Sequence, residues 1–132
     1  MSHIANEHEI REVSRLHAKD RYAYFTKKVA DWEESWGLRG IGGFVTSADD
    51  GASHLPLWPN GQFAQVCAQG NWSDATPECI SLQELLEEWI PRLHKEAGML
   101  AIFPLADGKA VSVDPLRVAE DLRQECSLME DE

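Results

Sequence analysis

The side chains that could perform nucleophilic or acid–base chemistry are scattered along the sequence. His54 adjoins a predicted turn, and Cys67 lies beside Phe63 and Val66 on the apolar side of a predicted helix. Nucleophilic catalysis requires a Ser, Cys or Thr that is held by a base, which a third group orients. The 23 acidic residues supply carboxylates without singling out one as that third group. We therefore interpret Cys67 as structural and keep a hydrolase that uses His54 and a carboxylate as an alternative.

Metal and phosphate sites are not indicated either. The three cysteines form no CxxC pair, and the histidines match no metalloprotease pattern. The glycines at positions 37, 40, 42 and 43 lack the lysine and serine of a phosphate-binding loop and predict a hairpin turn instead. We expect no metal and no cofactor.

Five tryptophans are an unusual number for 132 residues. Trp32 and Trp89 fall on apolar helical stripes, which predicts that they lie in the core. Trp36, Trp58 and Trp72 lie on a predicted strand, at a strand end and in a polar loop. An indole at such a position can be half exposed and contact a partner, or it can fill a gap in a small core. If the protein binds a partner through tryptophan, we expect Trp58 and Trp72 to make the contact.

The net charge of −11 disfavours nucleic acid and anionic lipid as partners, because binding to phosphate backbones relies on Lys and Arg. It is compatible with plain solubility or with another protein as the partner. Lys19, Arg21, Lys27 and Lys28 cluster near the start of a predicted helix, but acidic residues lie among and after them. We interpret this cluster as the mixed-charge surface of a helix.

Cysteine usage and chain hydropathy bear on location. Cys67, Cys79 and Cys126 are an odd number without a disulfide framework, which is typical of a reducing compartment. The polar amino terminus does not resemble a signal peptide, and no apolar run approaches the roughly 20 residues that cross a bilayer. We expect a cytoplasmic protein that does not insert into membranes.

Apolar periodicity and capping signals predict five helical segments. They cover residues 6–17, a segment from residue 19 to about 32, a short segment after Asn60, residues 81–98 with a kink or restart at Pro91, and a closing helix after Asp114.

Alternating runs and turn residues predict about five strands. They are a meander over residues 35–38, 43–47 and 54–58, and a hairpin over residues 99–105 and 109–113. Pro56 places the third strand at an edge or makes it irregular. Residues 71–77 are predicted as a loop.

The pattern therefore predicts one α+β domain over residues 1–132, in which a mostly antiparallel sheet packs against amphipathic helices. Residues 1–18 are expected to form an N-terminal helical extension, and residues 127–132 an acidic tail.

Several short segments of the sequence are distinctive in combination. They are RYAYFTKKVADWEESWGL (21–38), LPLWP (55–59), ISL (80–82), WIP (89–91) and FP (103–104). Together they resemble a family of small bacterial proteins known as domain of unknown function 2750. The resemblance spans almost the whole chain and implies a single-domain cytoplasmic bacterial protein. It implies no activity and no catalytic residues.

The hypothesis that follows is a non-catalytic protein-interaction or regulatory module. The alternatives are a small hydrolase-like enzyme and a domain that binds a small ligand in an aromatic-lined pocket between sheet and helices.

Overall fold

Helices and strands are mixed along the chain, which confirms the predicted α+β class. A computed structural model describes residues 7–49, 52–106 and 109–130. The helices are α1 (Glu7–Ser14), α2 (Ala18–Trp32), α3 (Gly61–Val66), α4 (Leu82–Glu84), α5 (Ile90–Lys95) and α6 (Pro115–Glu130). The strands are β1 (Glu34–Gly40), β2 (Gly43–Phe44), β3 (Ser47–Asp49), β4 (Ala52–Leu57), β5 (Thr76–Ser81), β6 (Met99–Ile102) and β7 (Val111–Val113).

The two N-terminal helices are separate, as the break in their apolar stripes predicted. α1 contributes Val13 to the core, and α2 contributes the fully buried Phe25 and Val29. The hydroxyl of Tyr24 on α2 donates a hydrogen bond of 2.7 Å to the carboxylate of Glu9 on α1. The first helix is therefore held against the second. Asn6, the predicted cap of α1, lies outside the described residues.

Two sheets replace the single sheet of about five strands that was predicted. In the described residues one sheet has three strands in the order β2-β1-β5, and the other has four in the order β3-β4-β6-β7. Residues 76–77, predicted as loop, belong to β5, which pairs antiparallel with β1. Pro77 is tolerated because β5 is an edge strand, where a missing N–H group interrupts no inner ladder.

Glycines shape the smaller sheet. Gly40 pairs with Gly43 across the turn between β1 and β2, as the glycine pattern predicted, and Gly43 has a φ of +121°. Gly37 has a different role, since a Cβ atom there would lie 2.7 Å from the ring of Phe44. Close packing of the Phe44 ring against β1 therefore requires glycine at position 37.

Pro56 lies inside the larger sheet, which corrects the prediction of an edge or irregular strand. β4 pairs with β3 on one side only as far as His54, and with β6 in parallel on the other side. The carbonyl of Leu57 accepts a hydrogen bond from the backbone N–H of Phe103, so the backbone groups of Leu57 point toward β6. Backbone groups alternate in direction along a strand, so those of Pro56 and Trp58 point away from β6. Pro56 thus faces the side where β3 has already ended, and its missing N–H group leaves no ladder bond unmade.

The two sheets are joined through their tryptophans. Trp36 of β1 and Trp58, directly after β4, exchange two backbone hydrogen bonds of 2.9 and 2.8 Å. One hydrophobic cluster runs from Val13 on α1 to Leu122 on α6 and includes residues of both sheets.

The long helix after β5 changes its hydrogen-bonding pattern where proline predicted a kink or restart. A π-helical turn, Leu85–Trp89, joins α4 to α5 immediately before Pro91. The wider turn accommodates a residue that has no N–H group and would collide with the carbonyl four residues earlier. The hydroxyl of Ser81 accepts the cap hydrogen bond from Glu84, as predicted.

The C-terminal elements mostly follow their predictions. β6 and β7 pair as the predicted hairpin, although residues 107–108 of its turn lie outside the described residues. The carboxylate of Asp114 caps α6 by accepting from the backbone of Leu116 at 2.8 Å. α6 continues to Glu130, so residues 127–130 of the expected acidic tail are helical.

Asn60→Ala is expected to lower the free energy of unfolding by about 1–2 kcal/mol. Asn60 is only 3% exposed, and its side-chain oxygen accepts from the backbone N–H of Phe63 to begin α3. Urea denaturation followed by circular dichroism measures the change. The exposed Asn71→Ala is the control, with a change within about 0.5 kcal/mol. Equal losses in the two variants would contradict the capping role.

Candidate functional site

The two tryptophans predicted as contacts lie together but differ in exposure. Trp58 is 0% exposed, so of the two positions open to its indole, the core and a half-exposed surface, the structure shows the core. Its position at the junction of the two sheets buries it. Trp72 is half-buried, and its ring packs edge-to-face on that of Trp58 at 6.3 Å. A side chain without accessible surface contacts no partner, so Trp72 alone retains the proposed contact role.

His54 has a serine and a carbonyl where the hydrolase hypothesis placed a carboxylate. Its Nε2 lies 2.9 Å from the hydroxyl of Ser112, and its Nδ1 lies 3.2 Å from the carbonyl oxygen of Ala52. Because a carbonyl only accepts, Nδ1 donates to Ala52, and Nε2 shares a hydrogen bond with the hydroxyl of Ser112. Ser112 is exposed on β7 and lines none of the cavities described below. The arrangement joins β4 to β7 across β6, which is a structural role.

The thiols of Cys67 and Cys79 both donate hydrogen bonds to oxygen atoms. Cys67 donates a hydrogen bond of 3.2 Å to the carbonyl of Pro104. Cys79 donates to the carboxylate of Glu34, and burial together with that carboxylate raises the pKa of Cys79 to about 12. A thiol that keeps its proton is a poor nucleophile.

The segment after β6 is strained and tightly held. Phe103 has a φ of +53°, an uncommon conformation for a bulky residue. Its backbone N–H donates to Leu57, and its ring packs on that of Phe63 at 4.8 Å. The next carbonyl, that of Pro104, accepts from both the indole of Trp58 at 2.9 Å and the thiol of Cys67. Strain that the surrounding structure maintains in this way is often found at functional sites.

A cavity of about 450 Å³ lies against this segment, between α1 and α3. We call it the α1–α3 cavity. Its wall is mostly apolar, with Arg11 and Arg15 of α1 at its edge. The apolar residues are Ile10, Phe63, Val66, Phe103, Pro104 and Leu105. Pockets that bind small molecules commonly have about 300–1,000 Å³ and such a wall.

A second space of about 570 Å³ adjoins this cavity and shares Ser14, Arg15 and Leu105 with it. We call it the Arg21 cleft. Arg21 and Lys109 also line it. The sequence interpretation of Arg21 as part of a mixed-charge surface is wrong, because this residue is 5% exposed. Position 21 is enclosed, with its Nη1 on the backbone carbonyl of Leu16, although residues 18–20 of the same turn are exposed.

Neither space was predicted from the sequence. One signal was present, since Arg11 and Arg15 are four residues apart and share one face of α1. The other walls come from α3 and from residues 103–106, and only the folded chain brings them to that face.

Two tyrosines on α2 have hydroxyl groups with raised pKa values. Burial, a hydrogen bond and the charge of its carboxylate partner raise the pKa of Tyr24 above its ordinary value, and the same causes act on Tyr22. The partners are Glu9 for Tyr24 and Asp121 for Tyr22. Each hydroxyl is therefore more strongly protonated in the folded chain than in the unfolded chain.

We expect the free energy of unfolding to fall as the pH rises above about 10, where unfolded tyrosines ionise. The folded state binds more protons in that range, so the slope of stability against pH is negative. Urea denaturation between about pH 8 and about pH 11 measures it. The double variant Tyr22→Phe/Tyr24→Phe should lose less stability over this range than the wild type. An equal loss would show that these hydroxyls do not carry the effect.

Metal ligation and membrane insertion were tested on the described residues. The described residues contain no group of three or more His, Cys, Asp or Glu side chains that could hold a metal ion. None of the helices in the described ranges combines the length and apolar character that crossing a bilayer requires.

The fold and site define an α+β protein with an apolar cavity that arginines border. A family model described as "Protein of unknown function (DUF2750)" matches residues 22–122, so the chain belongs to this family, as its distinctive segments indicated. No curated protein gives a significant match to the sequence. The matched segment begins after α1 and Arg21, so these parts of the site lie outside it.

Proposed function

We propose that the protein is a non-catalytic binding domain and that its ligand is a small molecule held in the α1–α3 cavity. The observation that carries this proposal is the cavity itself, with about 450 Å³ and a mostly apolar wall. Of the hypotheses from the sequence, the small-ligand domain thus has the most specific support.

The rigidity of the cavity wall supports the proposal. The Pro104 carbonyl has two donors, and the Phe103 ring is held by Phe63 and by Tyr24, whose centroid lies 6.1 Å away. The hydroxyl of Tyr24 in turn donates a hydrogen bond to Glu9 on α1, the helix that forms the opposite wall of the cavity. Sites of this kind bind well because little ordering is required when the ligand enters.

The neutral fluorescent probe N-phenyl-1-naphthylamine tests the proposal, since its emission rises in apolar surroundings. We expect a saturable rise with the wild type. Val66→Trp should weaken binding at least about tenfold, because the indole would fill part of the cavity. The loss of one or two methylene-sized apolar contacts is enough for a change of this size. Val66 is 39% exposed on α3, so a larger side chain there does not enter the core.

Gln65→Trp is the matched control, because Gln65 is exposed on the same helix and lines none of the cavities described. It should bind like the wild type. If Val66→Trp binds the probe as tightly as Gln65→Trp, or if the wild type shows no saturable rise, the cavity is not the ligand site.

A second candidate function is the protein-interaction or regulatory module, with another protein as partner, in the cytoplasm of a bacterium. Trp72 supports it, since the half-buried indole is fixed by Trp58 and lines a further cavity of about 320 Å³. Ordered aromatic side chains of this kind are frequent interaction hot spots. The absence of a disulfide among Cys67, Cys79 and Cys126, all in the described ranges, is compatible with a reducing compartment.

Capture from a bacterial lysate with the wild type and with Trp72→Ala tests this candidate. A partner that the wild type retains should be lost with Trp72→Ala and kept with Trp89→Ala, which alters a half-buried tryptophan elsewhere. Retention that is equal in all three proteins would exclude the Trp72 surface.

A further inference from the structure

Arg21 is a buried cation whose guanidinium is only partly satisfied by hydrogen bonds to the described residues. Its guanidinium donates one hydrogen bond of 2.9 Å, from Nη1 to the backbone carbonyl of Leu16. Its Nε is buried and has no hydrogen-bond partner. Among the described residues no carboxylate pairs with it, whereas Arg39 and Arg117 each lie within 4 Å of an acidic side chain.

An arginine in this state favours an anion. Burial removes water from the guanidinium, and a neutral carbonyl replaces only part of the lost interaction. The planar group still offers donors in a fork that matches the two oxygens of a carboxylate or a phosphate. An anion that reaches this group would therefore gain charge-assisted hydrogen bonds at a place where solvent competes weakly.

The charge around Arg21 is opposite to that of the whole chain. The net charge is −11, with 23 acidic and 12 basic residues. Yet the described residues that line the α1–α3 cavity and the Arg21 cleft include no acidic side chain. They include four Arg and Lys side chains, those of Arg11, Arg15, Arg21 and Lys109. Arg15 pairs with Glu12 at 3.6 Å, and both side chains are more than half exposed. Exposed pairs of this kind are weak.

The cleft and the cavity share a wall, so one ligand can occupy both. We propose that the ligand is an amphipathic anion, whose apolar body lies in the α1–α3 cavity and whose carboxylate or phosphate head is bound by Arg21 and Arg15. This inference rests on the proposed function and adds the chemical class of the ligand. The common feature is the anionic oxygen group, and the experiment separates its two sources.

Isothermal titration calorimetry with decanoate, decyl phosphate and decanol tests the proposal, with each compound below its micelle concentration. The three share an apolar chain and differ in the head group. We expect one or both anions to bind at least about tenfold more tightly than decanol, as hydrogen bonds to charged groups imply. The tighter anion identifies the head group. Inorganic phosphate, which lacks the chain, should bind far more weakly than decyl phosphate.

Two variants locate the head group. Arg21→Met should remove the preference for the anions over decanol while it retains decanol binding. Because Arg21 is buried and its variant can fail to fold, Arg15→Gln provides a second test at a side chain that is 74% exposed. It should reduce the preference by about threefold or more. Arg123→Gln, exposed on α6 and away from both spaces, removes the same charge as a control and should change nothing.

The outcomes separate this inference from the proposed function. If decanol binds as tightly as both anions, or if Arg15→Gln behaves like Arg123→Gln, the anion inference is wrong while the apolar site stands. If phosphate alone binds as tightly as decyl phosphate, the ligand has no apolar body and the inference is also wrong. If neither decanol nor the neutral naphthylamine probe binds, the proposed function itself fails.

Discussion

Trp58→Ala is expected to lower the free energy of unfolding by about 3–5 kcal/mol, the range for removal of a large buried aromatic side chain. Trp58 is 0% exposed, and it is the largest of the fully buried side chains. Its indole N–H donates to the Pro104 carbonyl, and its backbone bridges the two sheets at Trp36. The substitution would leave a void where the sheets meet and one donor fewer on the wall of the cavity.

Urea denaturation followed by circular dichroism measures this loss, with two comparisons. Trp58→Phe keeps an aromatic ring but no N–H donor, so it should be less destabilising than Trp58→Ala. Trp72→Ala removes an indole that is only half-buried and should cost less than Trp58→Ala. If Trp72→Ala costs as much as Trp58→Ala, the central position assigned to Trp58 is wrong.

Phe63→Ala should have an effect of similar size, about 3–5 kcal/mol, for a different reason. Phe63 is 2% exposed and packs edge-to-face on Phe103 and on Tyr24, with centroids 4.8 and 6.1 Å away. Aromatic pairs of this geometry add about 0.5–1.5 kcal/mol beyond the buried area. The loss of the ring also enlarges the α1–α3 cavity, because Phe63 forms part of its wall.

The same denaturation experiment tests this prediction, and ligand size provides an independent measurement. Val66→Ala, on the same helix and 39% exposed, should cost less than about 1.5 kcal/mol. Phe63→Ala should shift the preference of the cavity toward ligands bulkier than the naphthylamine probe. An unchanged preference would place the ligand away from Phe63.

Local patterns predicted the helices well because each helix carries its own apolar stripe. The stripe through Phe25 and Val29 is buried as expected, and the capping residues Asn60, Ser81 and Asp114 all accept the hydrogen bonds assigned to them. These features depend on residues three or four apart, which the sequence displays directly.

The sheet arrangement was less predictable, because it depends on partners that are distant in the chain. β4 and β6 pair in parallel, with His54 opposite Met99, and nothing near either strand specifies that register. β5 was missed because Pro77 and the polar residues around it are typical of a loop. The burial of Trp58 likewise follows from its contact with β1, not from its own neighbours.

The candidate site was the least predictable part. Its walls are α1, α3 and the segment around Phe103, and α2 adds Arg21. In the sequence Arg21 lies among charged residues and looks like part of an exposed surface. Only the fold, which sets its guanidinium on the carbonyl of Leu16 before α2, makes it a buried cation beside a cavity.

Nuclear magnetic resonance tests directly, in the unmodified protein, whether the ligand lies in the α1–α3 cavity. A titration of ¹⁵N-labelled protein with decanol would show which backbone amides change their chemical shifts. We predict saturable changes concentrated in α1, α3 and residues 103–106, and little change along the outer face of α6. Changes concentrated elsewhere, or no saturable change at all, would contradict the assignment of the α1–α3 cavity as the ligand site.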